Sequence, residues 1–149
     1  MKKITLLSLA TIILTGCASS SGPQSLQTND SRECAKNFTY NGSFLAGRMY
    51  KSHAFIGNVS QGSALKRAAR YTVNNGFTII STDKELGIIS ASQTVSYGKG
   101  KTVPLNISLE PKNKGVNVAI TYSTSGGVTS PLDAISSHFC GTMEAIAGK

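Results

Sequence analysis

The chain has 149 residues, and 15 Lys and Arg against 7 Asp and Glu give it a formal net charge of +8 at neutral pH. This length leaves room for one compact domain and excludes a multidomain architecture. The basic balance favours partners that carry negative charge.

The N-terminal segment has the organisation of an export signal. Lys2 and Lys3 precede an apolar run from Ile4 to Leu14, and small residues follow it, as in secretory signal peptides. The run is shorter than the about 20 apolar residues that a membrane-spanning helix needs. Its end, Leu14-Thr15-Gly16-Cys17, resembles the lipobox of bacterial lipoproteins. The resemblance implies that residues 1–16 are a signal peptide and that Cys17 carries diacylglycerol and an acyl chain such as palmitate. A plain signal peptide with a coincidental cysteine is the alternative.

The residues after Cys17 predict a tether and a location. Ala18 and Ser19 follow the cysteine, and in the lipoproteins that it resembles the lack of an aspartate there favours the outer membrane, facing the periplasm. Residues 17–37 are predicted as the lipidated cysteine and a flexible tether, because 18–31 are mostly small and polar. Removal of Lys2 and Lys3 leaves 13 basic and 7 acidic residues, a charge of +6. The lipid anchor argues against nucleic acid as the anionic partner.

Two cysteines remain after lipidation of Cys17. Cys34 and Cys140 are an even pair in an oxidising compartment, so we expect a disulfide. Two free buried thiols are the alternative. Neither cysteine lies near a His or a second Cys at metal-ligand spacing.

The folded domain is predicted over residues 38–149. It begins with a weakly patterned strand over 44–56. A helix over 62–74 follows, because its apolar residues recur at helical spacing. Asn58 or Ser60 is expected to cap this helix, and Asn75-Gly76 to end it.

Four clearer strands and a final helix come next. The strands show period-two alternation of apolar and polar residues over 77–82, 89–97, 102–110 and 116–123. Their turns are Asp83–Gly87, Gly98-Lys99-Gly100 and Pro111–Gly115. Pro104 lacks a backbone donor, so its strand is expected at a sheet edge or at a bulge. For the last helix, Ser130 is the expected cap, Pro131 the first residue, and one apolar stripe is formed by Leu132, Ile135, Phe139, Met143 and Ile146.

This order predicts an α+β fold. An antiparallel sheet of about five strands, in the order strand, helix, four strands, helix, would carry both helices on its one apolar face. The polar Ser/Thr/Asn face would meet water or a partner.

One stretch of the domain resembles a family of envelope lipoproteins. The residues are Asn75-Gly76-Phe77-Thr78-Ile79, then Asp83, then Gly87-Ile88-Ile89-Ser90-Ala91. They resemble the NlpB/DapX (BamC) lipoproteins, the C subunit of the outer-membrane β-barrel assembly machinery. The resemblance implies a helix-grip, TATA-binding-protein-like domain and no catalytic residues.

The residues available for chemistry predict a protein that is not an enzyme. His53 and His138 stand in no known catalytic or zinc motif, the acidic residues are dispersed, and no phosphate loop is present. We therefore expect no cofactor and no metal, and we interpret His138 as a partly buried structural histidine. Lys66, Arg67 and Arg70 share one side of the first helix and are the candidate anionic-ligand residues; an ordinary solvated helix face is the alternative.

The expected function is that of a non-catalytic outer-membrane lipoprotein. It would present a periplasmic protein-interaction domain, as an accessory of an envelope assembly or secretion complex. One alternative is a binding module for an anionic envelope polymer, peptidoglycan or lipopolysaccharide. Another is a lysozyme inhibitor, which suffers because two basic surfaces repel. The sequence leaves open whether the polar sheet face or the basic helix is the working surface.

Overall fold

The computed structural model describes residues 22–96 and 100–149. The predicted signal peptide, Cys17 and the Gly98-Lys99 part of the predicted turn lie outside these residues. Within them, seven antiparallel strands form one sheet in the order β1-β2-β3-β7-β6-β5-β4. The strands are β1 Gln24–Ser25, β2 Thr39–Ser43, β3 Gly47–Gly57, β4 Thr78–Asp83, β5 Ile88–Thr94, β6 Thr102–Lys112 and β7 Gly115–Thr124. The helices are α1 Glu33–Lys36, α2 Gln61–Asn74 and α3 Leu132–Ala147.

The core lies between one face of this sheet and the helices. In β6 and β7 the inward residues are almost fully buried: Val103, Leu105, Ile107, Leu109, Val116, Val118 and Ile120. From α3, the predicted stripe supplies Ile135, Phe139, Met143 and Ile146, while Leu132 is only partly buried. Period-two strands and a period-3.6 helix therefore meet on one apolar layer, and the α+β fold with its antiparallel sheet is confirmed.

The ends of α2 follow the prediction, and the start of α3 does not. Ser60 caps α2, where its Oγ accepts from the Ser63 N–H at 3.3 Å. Gly76, with a φ of 82°, turns the chain out of the helix. At α3 the N-cap is Pro131, which makes no side-chain hydrogen bond. The prediction that Ser130 caps this helix is therefore wrong.

The first predicted strand, residues 44–56, begins too early: residues 44–46 are a turn, β3 starts at Gly47, and β2 lies before the turn, where the sequence predicted no strand. β2 and β3 form a hairpin around residues 44–46, and Ser43 lies opposite Gly47. The apolar side chains of Phe44 and Leu45 hid this turn, because turns are normally recognised by polar and small residues. The hairpin and the short β1 raise the strand count from the expected five to seven.

The segment expected to be a flexible tether is folded from Gln24 onwards. Gln24 and Ser25 pair with β2, and α1 buries Cys34 and Ala35 almost completely. The domain thus begins well before the expected boundary at residue 38. The small polar composition of this segment concealed its contacts, which the rest of the fold supplies.

Pro104 does not mark an edge strand. Its strand, β6, lies between β5 and β7, and the pairing with β7 begins only at Leu105. Pro104 therefore sits one residue before that ladder, where its missing N–H interrupts no pairing with β7. The irregularity in the sheet lies in β4 instead, between Ile79 and Ser81.

Candidate functional site

A basic cleft lies between α2 and the C-terminal end of α3. It has a volume of about 520 Å³. Its lining residues are Ser63, Lys66, Arg67, Arg70, Tyr71, Asn74, Ala145, Gly148 and Lys149. The structure therefore brings all three predicted anionic-ligand residues to one cleft and adds a fourth cation, Lys149.

The position of the cleft follows from the packing of α2. Ala64, Leu65 and Ala68 are buried on its inner side, which leaves the basic side chains outside. On α3, Gly141 lies against the Tyr71 ring, where an added Cβ would collide with the tyrosine hydroxyl. This close approach holds Tyr71, which lines the cleft beside the basic residues, against α3.

Arg67 has a structural role as well as a charge. Its Nη1 donates to the Ile146 carbonyl at 2.8 Å, one of the last carbonyls of α3. Gly148 ends this helix in the left-handed conformation, with a φ of 83°. A cation at these unsatisfied carbonyls complements the helix dipole. Arg67 thus holds the end of α3, and Lys149, against α2.

The cleft cations have no carboxylate partner among the described residues. The salt bridges in residues 22–96 and 100–149 join Arg32 to Asp30 and to Glu144. Lys66, Arg70 and Lys149 thus present their positive charges to solvent. Clustered cations that lack internal counter-ions attract anions, and a guanidinium binds a carboxylate or phosphate through paired N–H donors.

A smaller cavity of about 250 Å³ lies between α3 and the sheet. His138 lines it and stacks on Phe77 at 5.5 Å between ring centroids, with Tyr71 at 5.7 Å on α2. Burial lowers the pKa of the His138 imidazole and raises the pKa of the Tyr122 phenol. The structure therefore places His138 half-buried among aromatic rings.

The two predicted disulfide residues are joined. Cys34 and Cys140 form the bond, with their Cα atoms 5.4 Å apart, so α1 is fixed to α3. Near this bond, Arg32 Nη1 lies 2.8 Å from Glu144 Oε1 of α3. The Arg32 Nε and Nη2 atoms both donate to the Asp30 carboxylate. These hydrogen bonds lower the pKa of Asp30 to about 2.

The outer face of the sheet is mostly polar, as expected, and Met49 and Phe55 of β3 are exposed apolar side chains on it. A row of polar side chains runs across adjacent strands from Ser90 through Asn106 and Thr121 to Lys51 of β3, and Thr39 of β2 follows next to Lys51. The Ser90 hydroxyl donates to the Asn106 side-chain oxygen at 2.9 Å. His53 is also exposed on this face, whereas the half-buried His138 belongs to α3.

No group of three or more His, Cys, Asp or Glu side chains among the described residues is placed to hold a metal ion. None of the helices described is both long and apolar enough to span a membrane.

No protein-family model matches this chain, and no curated protein matches it. Among solved structures, Ara h 8.0201 is similar with a TM-score of 0.52 at 12% sequence identity, over 69% of this chain and 97% of that one. CalU16 from Micromonospora echinospora has a TM-score of 0.39 at 10% identity, over 69% of this chain and 89% of its own. At such identity the first likeness shows the fold alone: the chain has a helix-grip-like α+β fold.

Proposed function

We propose that this chain is a non-catalytic, lipid-anchored lipoprotein of the outer membrane whose periplasmic domain binds an anionic polymer of the envelope in the basic cleft. The observation that carries the proposal is the cleft itself, with four cations and no carboxylate partner for them among the described residues. The lipobox-like sequence supports the anchor. This geometry favours polymer binding over the protein-interaction role that the sequence suggested first.

The spacing of the cations suits a repeating anion. Lys66 and Arg70 are four residues apart on α2, so their Cβ atoms are separated by about 5–6 Å along one helix face. Lys149 faces them from the end of α3. An open cleft with charges on both walls accepts an extended chain that carries carboxylates or phosphates. Peptidoglycan and lipopolysaccharide both have this chemistry.

The test removes two cleft charges and leaves the support of α3 intact. A Lys66→Ala/Arg70→Ala variant keeps Arg67, and a Lys112→Ala/Lys114→Ala variant loses the same charge at the β6–β7 turn. Binding to purified peptidoglycan and to lipopolysaccharide is measured by co-sedimentation at several salt concentrations. We expect at least tenfold weaker binding for the cleft variant only, and binding that weakens with salt. Equal losses in the two variants would show that net charge, rather than the cleft, binds the polymer.

The outer sheet face supports a second candidate, a protein-interaction surface. Its row of polar side chains is broad and open, and the resemblance to the NlpB/DapX lipoproteins, with their TATA-binding-protein-like domains, favours an accessory role in an envelope complex. A Thr121→Arg substitution places a bulky charge in the middle of this row. Loss of a discrete crosslinked partner in this variant, with its retention in Lys66→Ala/Arg70→Ala, would assign the partner to the sheet.

A further inference from the structure

The tip of the β2–β3 hairpin exposes two large apolar side chains. Leu45 is 85% exposed and Phe44 is 50% exposed. They are neighbours in a three-residue loop, so their apolar surfaces are adjacent. An exposed apolar pair at the end of a hairpin has no role in the core and indicates a contact with something outside the domain.

The backbone of this tip is held in place. The Gly127 N–H donates to the Phe44 carbonyl at 2.9 Å, and the Ala46 N–H donates to the Ser43 hydroxyl at 3.2 Å. Gly126 packs so closely on the Leu45 carbonyl that an added Cβ would collide with it. The tip is therefore displayed in one conformation, and little ordering is needed when it binds.

The N-terminal end of the domain points toward the same tip. β1 is antiparallel to β2, and Gln24 lies opposite Tyr40, so the chain before Gln24 leaves in the direction in which β2 runs to Phe44. The four residues from Tyr40 to Phe44 cover about 13 Å at strand spacing. The seven residues from Cys17 to Gln24 reach at most about 25 Å. Cys17 can therefore lie level with the tip, or up to about 12 Å beyond it.

The charges at this end of the sheet suit an anionic surface. The described segments that meet there are residues 22–24, 42–48, 75–78, 94–96, 100–103 and 123–131. They contain the cations Arg48 and Lys101 and no Asp or Glu, while Asp133 follows in the first turn of α3. Lys101 donates to the Gly126 carbonyl at 2.8 Å, beside Leu45.

We propose that the Phe44–Leu45 tip inserts into the interface of the phospholipid bilayer that holds the acylated Cys17. This inference rests on the lipid anchor of the proposed function. Apolar side chains flanked by cations are the composition of segments that lie in a membrane interface. The sheet would then stand on the bilayer with this end down. Because α3 rises away from the tip by about 24 Å, the basic cleft at its far end would face away from the lipid, toward polymer in the periplasm.

The chain contains no tryptophan, so a single introduced one reports on its own surroundings. The test variant is Leu45→Trp, and the matched control is Leu86→Trp, which is 64% exposed in the β4–β5 turn at the opposite end of the sheet. Each full-length lipidated protein is reconstituted into vesicles of phosphatidylethanolamine and phosphatidylglycerol. Tryptophan emission, quenching by brominated lipid and quenching by aqueous iodide are then measured.

We expect Leu45→Trp to shift its emission to the blue and to be quenched by brominated lipid several times more strongly than Leu86→Trp. Equal iodide quenching of the two variants on the same vesicles would overturn the proposal. Shielding of Leu45→Trp in native envelopes but not on pure lipid would show a protein partner and would also overturn it. Phe44→Trp repeats the measurement if Leu45→Trp fails to fold. Mass spectrometry of Cys17 separates the two hypotheses: an unacylated cysteine removes the anchor of the proposed function and the tip insertion with it, whereas an acylated protein with an exposed tip refutes the insertion alone.

Discussion

Loss of the Cys34–Cys140 disulfide should remove a large part of the stability of the domain. The bond closes a loop over a sequence separation of 106 residues. In the chain-entropy model, a cross-link over a loop of that length lowers the entropy of the unfolded chain, which stabilises the folded state by about 4.8 kcal/mol at 25 °C. The total free energy of unfolding of an ordinary domain is only about 5–15 kcal/mol. Unfolding entropy of about 2.1 cal/mol/K per residue converts the loss into a fall in Tm of roughly 15–20 °C.

The assay is urea unfolding of the wild type and of a Cys34→Ala/Cys140→Ala variant, with a parallel thermal scan. Both sulfur atoms belong to buried residues, so the folded wild type should also resist mild reductant that unfolded protein does not. Thiol titration of the unreduced, unfolded protein should find neither Cys34 nor Cys140 free. A variant that loses less than about 1 kcal/mol would refute the argument that the long loop makes this bond a major source of stability.

Three other substitutions test the core, the half-buried histidine and the hairpin. Leu109→Ala should lower the free energy of unfolding by about 2–5 kcal/mol, because Leu109 is fully buried, whereas Leu86→Ala at an exposed turn should change it by under about 0.5 kcal/mol; urea unfolding compares them. Burial lowers the pKa of His138 from 6.5, so the unfolded chain binds a proton more readily, and stability should fall as pH drops through the ordinary histidine range. His138→Phe should therefore make the fall in stability between pH 7 and pH 5 shallower, and an unchanged slope would contradict the assignment. Gly47→Ala should destabilise the domain by at least about 1 kcal/mol, because Gly47 has a φ of 96° and lies against the Thr124 carbonyl. The control is Gly62→Ala, which has open space around it in α2 and should be neutral or stabilising. A thermal scan compares the two variants.

Regular alternation made the later part of the fold predictable. In β6 and β7 every second residue is apolar and points to the core, and in α3 the apolar stripe has the helical period. The ends of α2 were also predictable, because Ser60 and Gly76 act through hydrogen bonds and backbone angles within a few residues. The N-terminal part was less predictable from the sequence. β1 and α1 are stable only through distant partners in β2 and α3, and no local sequence pattern indicates such partners.

For the basic cleft, the sequence by itself determined that Lys66, Arg67 and Arg70 share one side of a helix, since helical geometry sets which neighbours lie together. Only the tertiary structure decided that this side faces the end of α3, that Arg67 holds the Ile146 carbonyl, and that Lys149 completes the cleft. It likewise decided that the exposed tip at Leu45 lies at the end of the sheet toward which the N-terminal chain points. The physical reason is range: periodicity and capping act over one or two turns, whereas the cleft and the tip arise from sheet order and helix packing between residues far apart in the chain.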